Sequence, residues 1–144
     1  MVADTLRGRF ITLEGGEGVG KSTLQMALAT RLRDMGIEVV TTREPGGTPL
    51  AERIRELALR PPEDDAWTPM AEALLMNAAR SDHLDKLIRP ALAKGQWVIS
   101  DRFSDSTRVY QSVKGGVSQE ILLQIEASVI AETRPDLTLV LDAP

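Results

Sequence analysis

The chain contains no cysteine among its 144 residues. Without thiols it can form neither a disulfide framework nor a thiolate zinc site, and it cannot use a cysteine nucleophile. This absence fits a reducing compartment, and we expect a cytoplasmic protein. No stretch approaches the roughly 18 consecutive apolar residues of a membrane helix, and residues 1–9 show no apolar signal core. We therefore expect neither a membrane span nor a secretory leader.

An excess of positive charge is lacking as well. The chain carries 17 Lys and Arg against 21 Asp and Glu, for a net charge of −4 and a sequence pI near 5.1. It has no global basic field to hold a nucleic-acid backbone, so we expect no polymeric DNA or RNA partner. The composition, 42% hydrophobic and 26% charged, is that of a globular protein. At this length we expect residues 1–144 to form a single domain.

Short β-prone runs alternate with helical patterns along the chain. The runs are residues 10–13, 37–42, 97–99 and 137–141, and apolar residues recur at helical spacing over 21–35, 50–58, 69–94 and 118–130. The longest of these helical patterns is expected to kink near Pro90. Strands that are mostly apolar, separated by helices, indicate a parallel sheet covered on both faces by right-handed crossovers. The pattern predicts an α/β fold.

A glycine-rich segment follows the first predicted strand. Residues 15–22 read GGEGVGKS and fit the pattern G-x-x-x-x-G-K-[ST], ahead of a predicted helix. Glycines let backbone N–H groups converge on a phosphate, Lys21 can reach the β- and γ-phosphates, and Ser22 offers a magnesium ligand. The plain alternative is a glycine-rich turn before an ordinary capped helix. The pattern favours ATP binding without naming a reaction, because motors, switches and kinases share it.

Charged residues follow two further predicted strands. Arg43 and Glu44 come after the second strand, and Asp101 and Arg102 come after the third. Ligands in an open α/β sheet bind beyond the carboxyl ends of the strands, so these arginines, with Arg80, can surround a second phosphate-bearing ligand. Each arginine taken alone is more simply a solvated surface residue. Clustered arginines with few candidate bases suit a kinase, because phosphoryl transfer needs positioning and charge neutralisation.

At these residues the sequence resembles the bacterial thymidylate kinases, over residues 9–144. The motifs are EGGEGVGKST at 14–23, TREPGGT at 42–48, AAR at 78–80, DRF at 101–103 and RPDLT at 134–138. The resemblance implies a P-loop NTPase-type three-layer fold, with a parallel sheet of four strands, the family's fifth being missing, and helices on both faces. It also implies transfer of the ATP γ-phosphoryl group to dTMP, which gives dTDP and ADP in dTTP synthesis.

The resemblance assigns the donor half of the site. Magnesium is the implied cofactor, with ATP as co-substrate, and Ser22 and Asp101 would serve the metal directly or through water. Lys21, Asp101, Arg43 and Arg102 are implied as catalytic residues. The implied ATP-binding residues are Gly15, Gly16, Glu17, Gly18, Val19, Gly20, Lys21, Ser22 and Thr23.

The resemblance also assigns the acceptor half. Arg43 and Arg102 would bind the dTMP phosphate, Glu17 would accept a hydrogen bond from the deoxyribose 3′-hydroxyl, and Arg55 would assist at the rim. Tyr110 would pack near C2′, where it disfavours a ribose hydroxyl. The residues implied around the base are Met76, Arg80, Thr107, Tyr110 and Gln111. These side chains suit their partners, since a carboxylate accepts from a hydroxyl and a guanidinium or amide donates to base carbonyls.

Two departures from the family pattern concern the base site and the chain end. The family usually has an aromatic residue one turn before the position of Arg80, where this chain has Met76 and Asn77. Family members also continue past the fourth strand into a lid that carries an arginine, and the cradle here offers Glu17 and no arginine. We therefore expect a P-loop kinase domain truncated at its C-terminus, slow or inactive alone. The resemblance further suggests a homodimer.

Two other functions remain open from the residues. One is a P-loop ATPase or GTPase switch, and the other is a nucleotide-binding remnant without catalysis. Only the kinase needs a second, saturable nucleotide site that involves Arg43, Arg80 and Arg102. His83, the only histidine, is expected on a helix surface rather than as a catalytic base. Glu14, at the end of the first strand, is expected to be structural, by hydrogen bonding to the glycine-rich loop.

Overall fold

The computed structural model describes residues 7–16, 18, 20–103 and 116–142. The strands are β1 (Phe10–Glu14), β2 (Val39–Arg43), β3 (Trp97–Asp101) and β4 (Leu137–Val140). The α-helices are α1 (Lys21–Asp34), α2 (Pro49–Leu59), α3 (Pro69–His83), α4 (Arg89–Ala93) and α5 (Gly116–Ile130). A 3₁₀ turn covers Pro62–Asp64, and a π-helical turn, Leu84–Ile88, joins α3 to α4. No helix in this part of the chain is long and apolar enough to cross a membrane.

The four strands form one parallel sheet in the order β2-β3-β1-β4. Successive side chains of β1 point to opposite faces of the sheet, and each face has its own hydrophobic core. Phe10 packs with apolar residues of the π-helical turn and α4, whereas Ile11 and Leu13 pack with side chains of α1. Helices therefore cover both faces of the sheet, and the predicted α/β fold with a four-stranded parallel sheet is confirmed.

Local sequence accounts for the helix starts near the site. Thr48 and Thr68 each accept a hydrogen bond from the backbone N–H three residues on, at 3.2 and 3.3 Å, and a proline follows each cap. This is the preferred chemistry of a helix N-terminus, because the cap satisfies an otherwise unpaired donor and proline needs none. Helix α1 is different, since Gly20 precedes it in the left-handed region with φ 92° and gives no side-chain cap.

The helical pattern over residues 69–94 is interrupted close to the predicted kink at Pro90, but the interruption begins earlier, at Leu84. The π-helical turn ends at Ile88, and Pro90 lies in the first turn of α4. Proline has no N–H to donate and so tolerates a first turn better than a helix interior. The consequence for the site is that His83 and Leu84, consecutive in the chain, are both completely buried.

Candidate active site

Three strand ends meet at one edge of the sheet. In the register of the sheet, Leu13 and Arg43 both lie opposite Asp101, from the two sides of β3. The segment after β1 and the segment after β2 therefore flank the end of β3. The charged residues that follow these strands are brought together, as parallel topology dictates.

The donor loop, residues 15–20, leads from β1 into α1. The Lys21 ammonium donates to the Gly15 carbonyl oxygen at 2.7 Å and lies 3.5 Å from Asp101 Oδ1. Ser22 and Thr23 are exposed in the first turn of α1. Among the described residues, nothing lies within 4 Å of a Cβ placed on Gly16, Gly18 or Gly20. The Cβ positions of these three glycines are therefore open within the described residues, and the helix dipole favours an anion at the start of α1.

Asp101 carries the feature that bears on a metal. Its Oδ1 atom is buried and makes no hydrogen bond within the described part of the chain, and the Lys21 ammonium lies 3.5 Å from it. A buried carboxylate oxygen without a donor is costly unless a cation or water completes it. Over the same residues there is no group of three or more His, Asp or Glu that could hold a metal. The donor set fits Mg²⁺, which uses one or two protein oxygens together with substrate phosphates.

The acceptor loop, residues 44–48, follows β2 and begins with a cis Glu44–Pro45 peptide bond. Arg55 of α2 donates to the Pro45 carbonyl oxygen at 3.0 Å, and the Thr48 hydroxyl donates to Asp82 Oδ2 at 2.5 Å. Gly47 N–H donates to Glu52 Oε1 at 3.0 Å. Side chains of α2 therefore bond to the backbone of Pro45 and Gly47, and a side chain of α3 bonds to Thr48 at the end of the loop.

Glu52 is a residue of this site that the sequence reasoning missed. Its carboxylate accepts two hydrogen bonds from Arg43, with Nε–Oε1 at 3.2 Å and Nη2–Oε2 at 2.8 Å. The hydrogen bonds from Arg43, followed by the bond from Gly47, lower the pKa of Glu52 from 4.5 to about 2. The same pairing raises the pKa of Arg43. An acidic residue in the first turn of α2 was the available signal, and it suggests only dipole stabilisation.

Arg80 lies in a buried ion cluster. Its Nε donates to Glu44 Oε1 at 2.9 Å, its Nη1 donates to Glu126 Oε1 at 3.1 Å, and its Nη2 donates to the Phe103 carbonyl oxygen. The guanidinium carbon lies 5.1 Å from the centre of the Phe103 ring. These bonds account for three of the five N–H groups that a guanidinium carries. Arg80 is therefore fixed in orientation by the protein itself.

The prediction that His83 lies on a helix surface is wrong. The ring is completely buried and meets the Glu44 carboxylate through Nδ1 and the Thr42 hydroxyl through Nε2, the latter at 2.6 Å. His83 lies three residues after Arg80, so both side chains point from one face of α3 toward the acceptor loop. That spacing was a signal in the sequence, but helix periodicity does not say what the face packs against.

The remaining predicted residues occupy varied positions. Arg102 is half-buried with φ 69°, and Met76 is half-buried on α3. Glu14 Oε1 accepts from Phe103 N–H at 2.9 Å, on the segment after β3, and its expected hydrogen bond to the glycine-rich loop stays a prediction. Asn77 is buried and donates to the Ala73 carbonyl oxygen. The predicted residues that lie outside the described part of the chain are Glu17, Val19, Thr107, Tyr110 and Gln111.

A family comparison decides what the site belongs to. The family model described as thymidylate kinase matches residues 13–144, which include both loops and the three strand ends. The chain belongs to the thymidylate kinase family. This membership confirms the resemblance that the motifs indicated, and it assigns the chain to a family of phosphotransferases.

Individual thymidylate kinases agree over almost the whole chain. The thymidylate kinases of Ectopseudomonas mendocina (strain ymp) and Pseudomonas entomophila (strain L48) are 57% and 58% identical to it over 139 residues. The match covers 96% of this chain and 66% of each relative, so the chain spans just under two thirds of their length. The crystal structure of thymidylate kinase from Ehrlichia chaffeensis superposes with a TM-score of 0.79 at 38% identity. That superposition covers 96% of this chain and 78% of the other.

Proposed function

We propose that this protein transfers the γ-phosphoryl group of ATP to dTMP, forming dTDP and ADP. The observation that carries the proposal is the meeting of two loops at one sheet edge. The donor loop, followed by Lys21, lies on one side of Asp101, and Arg43, followed by the acceptor loop, lies on the other. A phosphoryl donor and a phosphate-bearing acceptor need this juxtaposition, because in-line transfer requires the two phosphates to be close and partly neutralised.

On the donor side, we propose that residues 15–23 bind the ATP phosphates. Backbone amides of the loop and the uncapped start of α1 would face the phosphate oxygens, and Lys21 would neutralise charge that develops on the transferred group. Ser22 and Asp101 would hold Mg²⁺, which supplies charge neutralisation at the phosphates when bound. Asp101 also keeps the Lys21 ammonium close to the loop.

On the acceptor side, we propose that Arg43 and Arg102 bind the dTMP phosphate. The Arg43 guanidinium is about half exposed and is oriented by Glu52, so its position is set before a ligand arrives. Arg55 lies beneath the same loop, where its bond to Pro45 supports the loop backbone. A preoriented guanidinium loses less conformational entropy on binding, which favours affinity for the phosphate.

For the thymine and sugar, we propose Arg80 and Met76 together with residues outside the described part of the chain. Glu17 would accept from the 3′-hydroxyl, Thr107 and Gln111 would face the base, and Tyr110 would pack near C2′. Arg80 has a fixed orientation and retains N–H groups for a base carbonyl, which suits selection by hydrogen-bond geometry. Met76 offers a soft apolar contact to the ring.

The test is an assay of nucleotide products. The chain is mixed with Mg-ATP and, separately, with dTMP, dUMP, dCMP, dGMP and AMP, and diphosphates are resolved by chromatography while dTMP binding is titrated calorimetrically. We expect preferential conversion of dTMP and saturable dTMP binding. A folded chain that neither binds nor converts dTMP would contradict the proposal and favour a nucleotide switch or a non-catalytic remnant.

An Arg80→Ala variant separates the kinase from the switch. The change removes a proposed contact to the base, so we expect weaker dTMP binding with Mg-ATP binding retained. A nucleotide switch would show no such selective loss.

The slow turnover expected of residues 1–144 alone stays a prediction, which the same assay tests against a relative of full length. The homodimer and the cytoplasmic location also stay predictions, and sedimentation tests the former.

A further inference from the structure

His83 is the only histidine in the chain and is completely buried. Its ring touches three points of one short segment. Nε2 lies 2.6 Å from Thr42 Oγ1, Nδ1 meets a carboxylate oxygen of Glu44, and a Cβ on Gly47 would overlap the imidazole. The acceptor loop thus folds closely around this ring, and Gly47 with φ 95° permits the approach.

Glu44 connects His83 to Arg80. One carboxylate oxygen accepts from Arg80 Nε at 2.9 Å, and the other meets His83 Nδ1. Because Glu44 is also buried, water does not readily replace either partner. With both oxygens engaged, the carboxylate plane is fixed, and so is the direction in which it holds the Arg80 guanidinium.

The contacts also determine the tautomer of the ring. A carboxylate has only acceptor atoms, so Nδ1 must carry the proton that it shares with Glu44. In the neutral ring Nε2 is then an acceptor, and it takes the hydroxyl hydrogen of Thr42. Each ring nitrogen has one specific partner, and both partners lie on the segment that leads to the acceptor loop.

We propose that His83 is a positioning residue for the acceptor nucleotide. It does not touch the substrate, but through Glu44 it orients Arg80, and through the contact with Gly47 it sets the path of the acceptor loop. The inference rests on the proposed function, since the ligand that it affects is dTMP. A merely structural histidine would support the fold without any selective effect on the acceptor.

Two amide variants test the contact with Glu44. The amide nitrogen of Asn lies near the place of Nδ1, and that of Gln lies near the place of Nε2, so His83→Asn keeps a donor for Glu44 and His83→Gln does not. We expect His83→Gln to raise the calorimetric Kd for dTMP about tenfold, as the loss of one hydrogen bond to a charged group predicts. For His83→Asn we expect a Kd within about threefold of wild type. Mg-ATP affinity should change by less than about twofold in both.

Three outcomes would overturn the inference, and they are distinguishable. If the wild-type protein fails to bind dTMP, the proposed function itself is wrong. If the wild-type protein and the His83→Gln variant bind dTMP equally well, the proposed function stands but His83 has no positioning role. Equal losses of dTMP and Mg-ATP affinity in both variants, together with a lower melting temperature, would make His83 merely structural.

NMR on the unmodified chain tests the same inference if the variants do not fold. A single histidine gives one set of ring signals, which need no assignment by mutation. Long-range ¹H–¹⁵N correlation should show the Nδ1-protonated tautomer. We expect dTMP to shift these signals and Mg-ATP alone to leave them nearly unchanged. An Nε2-protonated ring, or a ring insensitive to saturating dTMP, would overturn the inference.

Discussion

The donor loop and the acceptor loop are both rich in glycine, but they need glycine for opposite reasons. Within the described part of the chain, a Cβ on Gly16, Gly18 or Gly20 of the donor loop would meet nothing within 4 Å. A Cβ on Gly46 would lie 2.5 Å from Glu52 Oε1, and one on Gly47 would overlap His83. The glycines of the donor loop have open space around them, whereas side chains of α2 and α3 fill the space around those of the acceptor loop.

The two loops are also held differently. At the described end of the donor loop, Lys21 contacts the Gly15 carbonyl oxygen and Asp101, and we propose that backbone amides of the loop face a phosphate. The acceptor loop is tied to α2 and α3 by Glu52, Asp82 and His83. A loop that binds by its backbone needs little side-chain support, but guanidinium groups that bind a phosphate need their directions set by carboxylates. The predictions below test this contrast, from the largest expected effect to the smallest.

The largest effect is expected from Lys21, the cation that follows the donor loop. Lys21→Met keeps the length of the side chain but removes the charge that we propose for neutralising the transferred phosphate. We expect Mg-ATP affinity to fall at least about tenfold with dTMP affinity unchanged, and the turnover that residues 1–144 show to fall about a thousandfold. Turnover by chromatography and binding by calorimetry measure these losses. The exposed Lys94→Met is the control, and more than a tenth of wild-type turnover in Lys21→Met would contradict the role of Lys21.

On the acceptor side, removal of Arg80 should destabilise the fold as well as the site. Arg80→Gln leaves Glu44 and Glu126 without their buried cation, and we expect a loss of about 4 kcal/mol in the free energy of unfolding. Arg60→Gln is the matched control, because Arg60 is 80% exposed and pairs with the exposed Glu56. It should cost about 0.5 kcal/mol or less. Urea unfolding measures both, and equal costs would show that the cluster is not effectively buried.

The glycines allow the contrast between the loops to be tested directly. Gly47→Ala adds a Cβ against His83 in the left-handed region, whereas Gly36→Ala adds one at φ 85° with open space around it. We expect Gly47→Ala to cost about 2 kcal/mol more than Gly36→Ala, because only the former combines backbone strain with a steric overlap. Gly20→Ala, also in open space, should match Gly36→Ala in stability and weaken Mg-ATP binding. Equal stability of all three variants would show that Gly47 is no more crowded than Gly20 and Gly36.

The smallest effect concerns the ion pair that orients Arg43. The folded state lowers the pKa of Glu52 from 4.5 to about 2, so its contribution is complete above pH 4.5 and is lost as the pH falls toward 2. Both side chains are partly exposed, at 53% for Arg43 and 37% for Glu52, so we expect Glu52→Gln to cost only about 0.5 kcal/mol at pH 7. The difference from wild type in urea unfolding should shrink between pH 4.5 and pH 2. A difference that is constant over this range would contradict the linkage.

Sequence reasoning predicted the strand, loop and helix of the donor half correctly because that half is local. Strand, glycine loop and helix start are consecutive, so the position of Lys21 beside Gly15 follows from the motif alone. The approach of Asp101 follows from parallel topology, which brings strand ends to one edge. The acceptor half was predicted as a set of cations, without the carboxylates that orient them. Glu52 and the pairing of Glu44 with Arg80 and His83 were missed, because nothing in the local pattern distinguishes these charges from solvated ones.

The sequence by itself determined the α/β fold, the glycine-rich loop between β1 and α1, and the family. These depend on hydrophobic periodicity, backbone conformation and neighbouring residues, all of which act over a few positions. Only the tertiary structure decided that Arg80 and His83 share Glu44, which lies 36 and 39 positions away from them. Pairing between such distant charges depends on how helix and loop pack, because a buried charge is stable only where packing brings its partner within hydrogen-bonding distance.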